Sequence, residues 1–170
     1  MQGWRLKMED AHIVHDFDSQ SNHLLLPIFD GHAGVGSANF AAQNMMQTIE
    51  TTTQWQQYIN EGASSIELLE EALVSAFVEI DIKIREHQEN SEVDKSGCTA
   101  VVAVVTPKYI ICANAGDSRC VMSADSVAKP LSFDHKPNND AELKRILAAG
   151  GNVKWNRVDG DLAVSRAFGK

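Results

Sequence analysis

Leu24-Leu25-Leu26-Pro27-Ile28-Phe29-Asp30-Gly31-His32 is the stretch from which the fold is read. Its apolar run is bounded by the polar Ser19-Gln20-Ser21-Asn22 on one side and Asp30-Gly31 on the other, which marks a buried strand rather than a helix. Asp30 therefore stands where a buried strand breaks into a turn. Gly31 beside it lets the backbone come close to a bound ion.

Working outward, residues 11–18 read as a second strand, joined to 23–29 by the turn 19–22 to make a hairpin. Glu9 and Asp10 precede the first strand and Asp30 follows the second. In an antiparallel pair the start of one strand lies beside the end of the next. The clusters Met8-Glu9-Asp10-Ala11-His12 and Phe29-Asp30-Gly31-His32 are thus expected at one end of one sheet. Carboxylates and a glycine carbonyl are hard oxygen ligands of the kind that suit Mg²⁺ or Mn²⁺. Taken singly, each is also an ordinary surface-turn carboxylate.

Downstream, 35–50 reads as a helix packed closely on a neighbour. A second helix carries Ile66, Leu69, Leu73, Ala76, Phe77, Ile80 and Ile84 on one face, with Ser64 and Glu67 as a capping box and the polar run 87–95 at its end. Segments 99–105, 109–113 and 120–122 look like β-structure. Asn139 with Glu142 is expected to cap a short helix closed by Gly150-Gly151. Strands, helices, strands and a helix in segregated blocks predict an α+β fold in one domain, 1–170.

The composition narrows the partners. A formal charge of −8 opposes non-specific nucleic-acid binding, which needs a basic face. It leaves phosphorylated substrates open, because bound divalent ions reverse the local electrostatics. Cys98, Cys112 and Cys120 match no zinc spacing and read as buried, reduced thiols of an intracellular protein. The apolar run 100–105 is far below the ~18 residues of a membrane span, and the N-terminus lacks a signal-peptide core. A cytoplasmic protein with no membrane partner is the expectation.

Four further features bear on chemistry. Gly116-Asp117-Ser118-Arg119 follows a strand, and Asp117 is either a site carboxylate or an Asx-turn residue. Arg5 is either a bidentate phosphate clamp or a surface partner of Glu9 or Asp10. His32 is either a proton donor to a leaving alkoxide or a plain turn residue. No nucleophile elbow, P-loop or dinucleotide fingerprint occurs. Water activated by a pair of divalent ions is what remains.

Together the segments resemble the metal-dependent protein serine/threonine phosphatases of the PP2C type, the PPM family. The stretches that carry the resemblance run in order across the chain: 1–5 with 8–12, Phe29-Asp30-Gly31-His32-Ala33-Gly34, Ser96-Gly97-Cys98-Thr99-Ala100, Ala115-Gly116-Asp117-Ser118-Arg119, Asp134-His135-Lys136-Pro137, and 161–169. The resemblance implies a β-sandwich flanked by pairs of helices, with the dinuclear site at one end. It implies that Asp30 bridges two Mn²⁺ or Mg²⁺ ions, that the Gly31 carbonyl ligates one, and that Glu9 and Asp10 act directly or through water. It further implies Arg5 on the substrate phosphate, His32 as general acid, Asp117 at a third, weaker ion, phosphoproteins as substrates, and Thr99 and Ser165-Arg166 as scaffold.

Two features depart from the family pattern. Lys170 stands where the family has Asp, and the family's later Asp-Gly and terminal Asp-Asn motifs do not occur within the 170 residues. The resemblance therefore covers the N-terminal two-thirds of the catalytic domain, and the C-terminal part of the sandwich is missing from it. An incomplete sandwich leaves strand edges open to dimerisation or strand exchange. A phosphatase and a catalytically weak metal-binding or interaction module of the same fold are both compatible with these residues.

Overall fold

The computed structural model describes residues 2–17, 22–90 and 94–169. Its centre is one antiparallel sheet built around β3 (Leu24–His32). β1 (Asp10–His12) and β2 (His15–Asp16) pair with one edge of β3. β5 (Ala100–Val105) takes the other, followed by β6 (Ile110–Ala115). β4 (Gly97–Cys98) continues that edge to Gly31 and His32, and β11 (Phe168–Gly169) closes the sheet against β4. The hairpin read from the sequence is present, with its first strand split into β1 and β2. Residues 19–21 of its turn lie outside the described residues.

Alternation decides which face of the sheet does what. Leu25, Phe29, Ala100, Val102 and Val104 are fully buried on the helix side, while Ile28 and Asp30 point to the opposite, open side. A register slip of one residue would exchange these faces, so the burial of Leu25 and Phe29 is also what holds Asp30 outward.

The helices cover the inner face. α1 (Gly36–Thr51) and α3 (Ile66–Glu89) pack on each other and on the sheet, burying Ala38, Ala41, Met45 and Ile49 from one and Leu69, Leu73, Ala76, Ile80 and Ile84 from the other. The α3 cap differs from the expected one by a residue. Ser65 is the N-cap, its Oγ accepting the Leu68 amide at 3.3 Å, whereas Ser64 turns back to the Glu61 carbonyl. Between them lies α2 (Thr53–Asn60), which the sequence reading passed over. Thr52 caps it, and Trp55 and Tyr58 bury their rings beside Phe17 and His23. A short helix with so few apolar residues gives a weak periodic signal.

Two small hairpins complete the chain: β7 (Val121–Ala124) with β8 (Val127–Pro130), and β9 (Val153–Lys154) with β10 (Arg157–Val158). Both turn through consecutive residues at positive φ, Asp125-Ser126 and Trp155-Asn156. No strand is expected from the sequence at β8, β9 or β10, because neither dipeptide is the Asn-Gly or Asp-Gly signature of a tight hairpin. α4 (Asp140–Ala148) follows Asn139, but the expected Asn139–Glu142 capping box does not form. Asn139 Nδ2 donates to the Asp134 carbonyl instead, and Glu142 is buried in an ion pair with Arg166. Gly150, at φ +84°, ends the helix as expected. Among the described residues no helix is long and apolar enough to cross a membrane.

Candidate active site

The site is a row running across the end of the sheet. Asp10 stands directly opposite Asp30 in the β1–β3 register. On the far side of β3 the register that sets Ile28 against Val101 and Gly31 against Cys98 continues through Thr99, which therefore faces Asp30. The Thr99 amide donates to the Asp30 carbonyl at 2.9 Å. The β5–β6 register, Ala100 opposite Ala115, carries the row on to Gly116. Asp10, Asp30, Thr99 and the Gly116-Asp117 turn thus line up on the open face.

Gly31 is required by close approach rather than by turn geometry. A Cβ built there would overlap the Glu9 carbonyl oxygen, which accepts the Gly31 amide at 3.1 Å. Amide and carbonyl of one residue in a strand point to the same edge. The Gly31 carbonyl therefore faces the Glu9 edge, beside Asp10.

Asp117 is held by its neighbours. Gly116 takes φ +119°, and a Cβ on it would strike the Thr99 side chain. Thr99 Oγ1 pairs with Ser118 Oγ at 2.6 Å, and Lys136 forms an ion pair with Asp117. His135 closes the turn from behind, its amide donating to the Gly116 carbonyl at 2.8 Å while its Nδ1 accepts the Gly116 amide at 3.2 Å. Arg119 Nε donates to Asp134 at 2.8 Å.

These placements produce a strained electrostatic centre. Desolvation raises the Asp30 pKa, and the carboxylates of Asp10 and Asp117 raise it further. The Arg5 guanidinium pulls it back, and a hydrogen bond shared with Asp10 adds to the upward shift. Two carboxylates in contact, with a third near enough to repel them, are a poor arrangement without a cation. Among the described residues no three His, Cys, Asp or Glu side chains converge closely enough to enclose a metal ion unaided. A hard ion such as Mg²⁺ keeps several of its waters and is commonly held through one or two carboxylates. The Asp10–Asp30 pair and the neighbouring Gly31 carbonyl fit that requirement by the chemistry of their oxygens.

The row forms the floor of a cavity of about 880 Å³. Arg5, Glu9 and His32 line it with Asp10, Asp30, Gly31 and Asp117, so every candidate ion ligand, phosphate clamp and proton donor reaches this one space. Arg5 makes no ion pair with Glu9 or Asp10 among the described residues. The half-buried His32 ring lies against Gly97, where any Cβ would collide with Nε2.

Residues 1–170 match the family described as Protein phosphatase 2C. The chain belongs to the protein phosphatase 2C family. Protein phosphatase 2C homolog 2 of Schizosaccharomyces pombe is 42% identical over 176 residues, covering 99% of this chain and 45% of that protein. A probable protein phosphatase 2C of Caenorhabditis elegans is 40% identical over 170 residues, with the same coverage. The chain thus spans about half the length of these relatives. Serine-threonine phosphatase 2C from Toxoplasma gondii superposes with a TM-score of 0.84 at 22% identity, over 97% of this chain and 64% of that one, which shows a shared fold. The α+β expectation agrees with this likeness.

Within this protein phosphatase 2C fold, three residues carry more of the site than the sequence reading gave them. Thr99, read as scaffold, is 2% exposed and ties the Asp30 strand to the Asp117 turn. Glu142, read as a cap, is 4% exposed and binds Arg166, Ser165 and Arg145. Burial alone would raise its pKa, but the hydrogen bonds from Arg166, Ser165 and Arg145 outweigh that and hold it at about 2. The Ser165 hydroxyl, its one proton shared between Glu142 and the His135 carbonyl, and the Ser165 amide, which donates to that carbonyl at 3.1 Å, link α4 to the Asp117 turn. Burial lowers the His135 pKa, as does the nearby charge of Arg166. Such links join residues distant in sequence, and no local pattern announces them.

Proposed function

We propose that the chain carries the N-terminal share of a divalent-metal-dependent active site that hydrolyses phosphoserine and phosphothreonine in proteins. The observation that supports this most strongly is the Asp10–Asp30 register, which sets two carboxylates in contact on the open face. Asp30 and the Gly31 carbonyl would hold the two ions, Mn²⁺ or Mg²⁺. Glu9 and Asp10 would hold them directly or through water, and Asp117 would serve a third, weaker one. Bound there, such ions activate a water and polarise the phosphoryl oxygens.

The chain's own residues supply the rest. Arg5 lines the same cavity and offers a planar fork of donors to the phosphate. His32, its ring against Gly97, gives a proton to the departing serine or threonine oxygen. The buried Thr99 ties the Asp30 strand to the Asp117 turn.

A second reading, a metal-binding or interaction module of the same fold with little turnover, fits the same residues, since the chain spans 45% of the length of the relatives it matches. Hydrolysis of a phosphothreonine peptide by the chain separates the two. Turnover that needs Mn²⁺ or Mg²⁺, stops with chelator and falls more than about a hundredfold in Asp30→Ala supports the phosphatase. Binding of one ion without turnover supports the module. Chelator-insensitive turnover, or unchanged turnover in Asp30→Ala, defeats the metal mechanism.

A further inference from the structure

The segment Asp134-His135-Lys136 lies along Gly116-Asp117-Ser118-Arg119 and contacts it at successive positions. Arg119 meets Asp134, Gly116 meets His135 twice, and Asp117 meets Lys136. Of these contacts only the His135 ring holds the backbone of the turn through a side-chain atom. The Gly116 amide donates to Nδ1, so Nδ1 carries no proton and the imidazole is the Nε2–H tautomer. Gly116 is buried, and its amide has no strand partner in the β5–β6 register beyond Ala115. The His135 backbone is itself fixed, since its carbonyl accepts both the Ser165 amide at 3.1 Å and Ser165 Oγ at 2.9 Å.

The geometry points to His135 as a positioning residue for Asp117. It acts through the Gly116 amide, as an acceptor placed by the Glu142–Ser165 network. Thr99 and Ser118 hold the front of the turn. At its back the His135 amide and Asn114 Nδ2 hold the Gly116 carbonyl, and Nδ1 is the acceptor that holds the Gly116 amide next to Asp117. This inference rests on the proposed role of Asp117 at the metal site. Its structural half, the hold on Gly116, stands apart from that role and is tested separately.

Asparagine and glutamine variants separate acceptor position from polarity. In His135→Asn the amide oxygen reaches the place of Nδ1. In His135→Gln it reaches further, toward the place of Nε2. Hydrogen exchange at the Gly116 amide, followed by NMR in the 170-residue chain, is expected to stay slow in His135→Asn. It is expected to speed up by about tenfold or more in His135→Gln, because a buried donor without its partner opens readily. At the weaker site that Asp117 serves, Mn²⁺ affinity by calorimetry is expected to fall about 10–100-fold in His135→Gln and to be largely restored in His135→Asn, the usual cost of losing a group that orients a ligand. Equal Gly116 exchange in the two variants overturns the inference, as does a Mn²⁺ affinity that ignores a loosened turn. If the unaltered chain binds no Mn²⁺, the proposed metal site fails, and the exchange comparison alone decides whether His135 holds the turn.

Discussion

At Asp30 stability and function pull in opposite directions. Its carboxylate is partly desolvated and faces Asp10 and Asp117, so the folded chain binds a proton there more readily than the unfolded chain does. For a carboxyl with a raised folded pKa the penalty is absent below the ordinary value of 3.8. It grows as pH rises above that value and is full once pH has passed the folded pKa. Without added metal, Asp30→Asn is therefore expected to raise the melting temperature at pH 7 and to leave it nearly unchanged at pH 3. The gain is about 0.5 kcal/mol, kept small because these carboxylates reach solvent. Thermal melts at the two pH values check this, and a destabilised Asp30→Asn chain at pH 7 would contradict the repulsion described here.

Glu142 behaves in the opposite sense. Its pKa, held at about 2 against an ordinary 4.5, means that its contribution is present above pH 4.5 and is lost as pH falls toward 2. Glu142→Gln is expected to flatten that acid limb of stability. It should cost about 3 kcal/mol at pH 7, the lower end for breaking a buried ion pair, since Arg145 and Arg166 keep access to water. Urea denaturation as a function of pH measures both effects.

At the scale of elements, the strongly periodic pieces were legible and the irregular ones were not. β3 and α3 were both readable, one from an apolar run bounded by turn residues and the other from its repeating apolar face. The caps were less so, because Ser64 and Ser65 are adjacent and both precede Glu67 at a plausible distance. Only the fold decides that Ser65 faces the Leu68 amide. Ser65→Ala is thus expected to cost about 1 kcal/mol, and Ser64→Ala only a few tenths. Equal losses in the two variants would reverse the assignment. Gly116 offers a sharper test. At φ +119°, with Thr99 where a Cβ would go, Gly116→Ala is expected to destabilise the chain by about 1–3 kcal/mol and to displace Asp117. Differential scanning calorimetry reads the first effect and Mn²⁺ titration the second.

For the whole molecule, the carboxylate row was legible because antiparallel pairing is simple. If two strands form a hairpin, the residues before the first and after the second must meet, and Asp10 does meet Asp30. Thr99, His135 and Glu142 were not legible as positioning residues, because their partners come from contacts such as Thr99–Ser118 and His135–Gly116 that depend on how separate segments pack. Family membership joins these observations, while the chain spans 45% of the length of the S. pombe and C. elegans relatives. The carboxylates it contributes are gathered on one face of one sheet, which is why metal binding is the property to measure first.

The most direct measurement is a calorimetric titration of Mn²⁺ into the chain, its Asp30→Ala variant and its Asp10→Ala variant, with circular dichroism to verify that all three are folded. If Asp10 and Asp30 form the ion site, the unaltered chain binds Mn²⁺, Asp30→Ala loses that binding by about tenfold or more, and Asp10→Ala weakens it less. Equal Mn²⁺ affinity in the unaltered chain and in a folded Asp30→Ala variant would contradict the account.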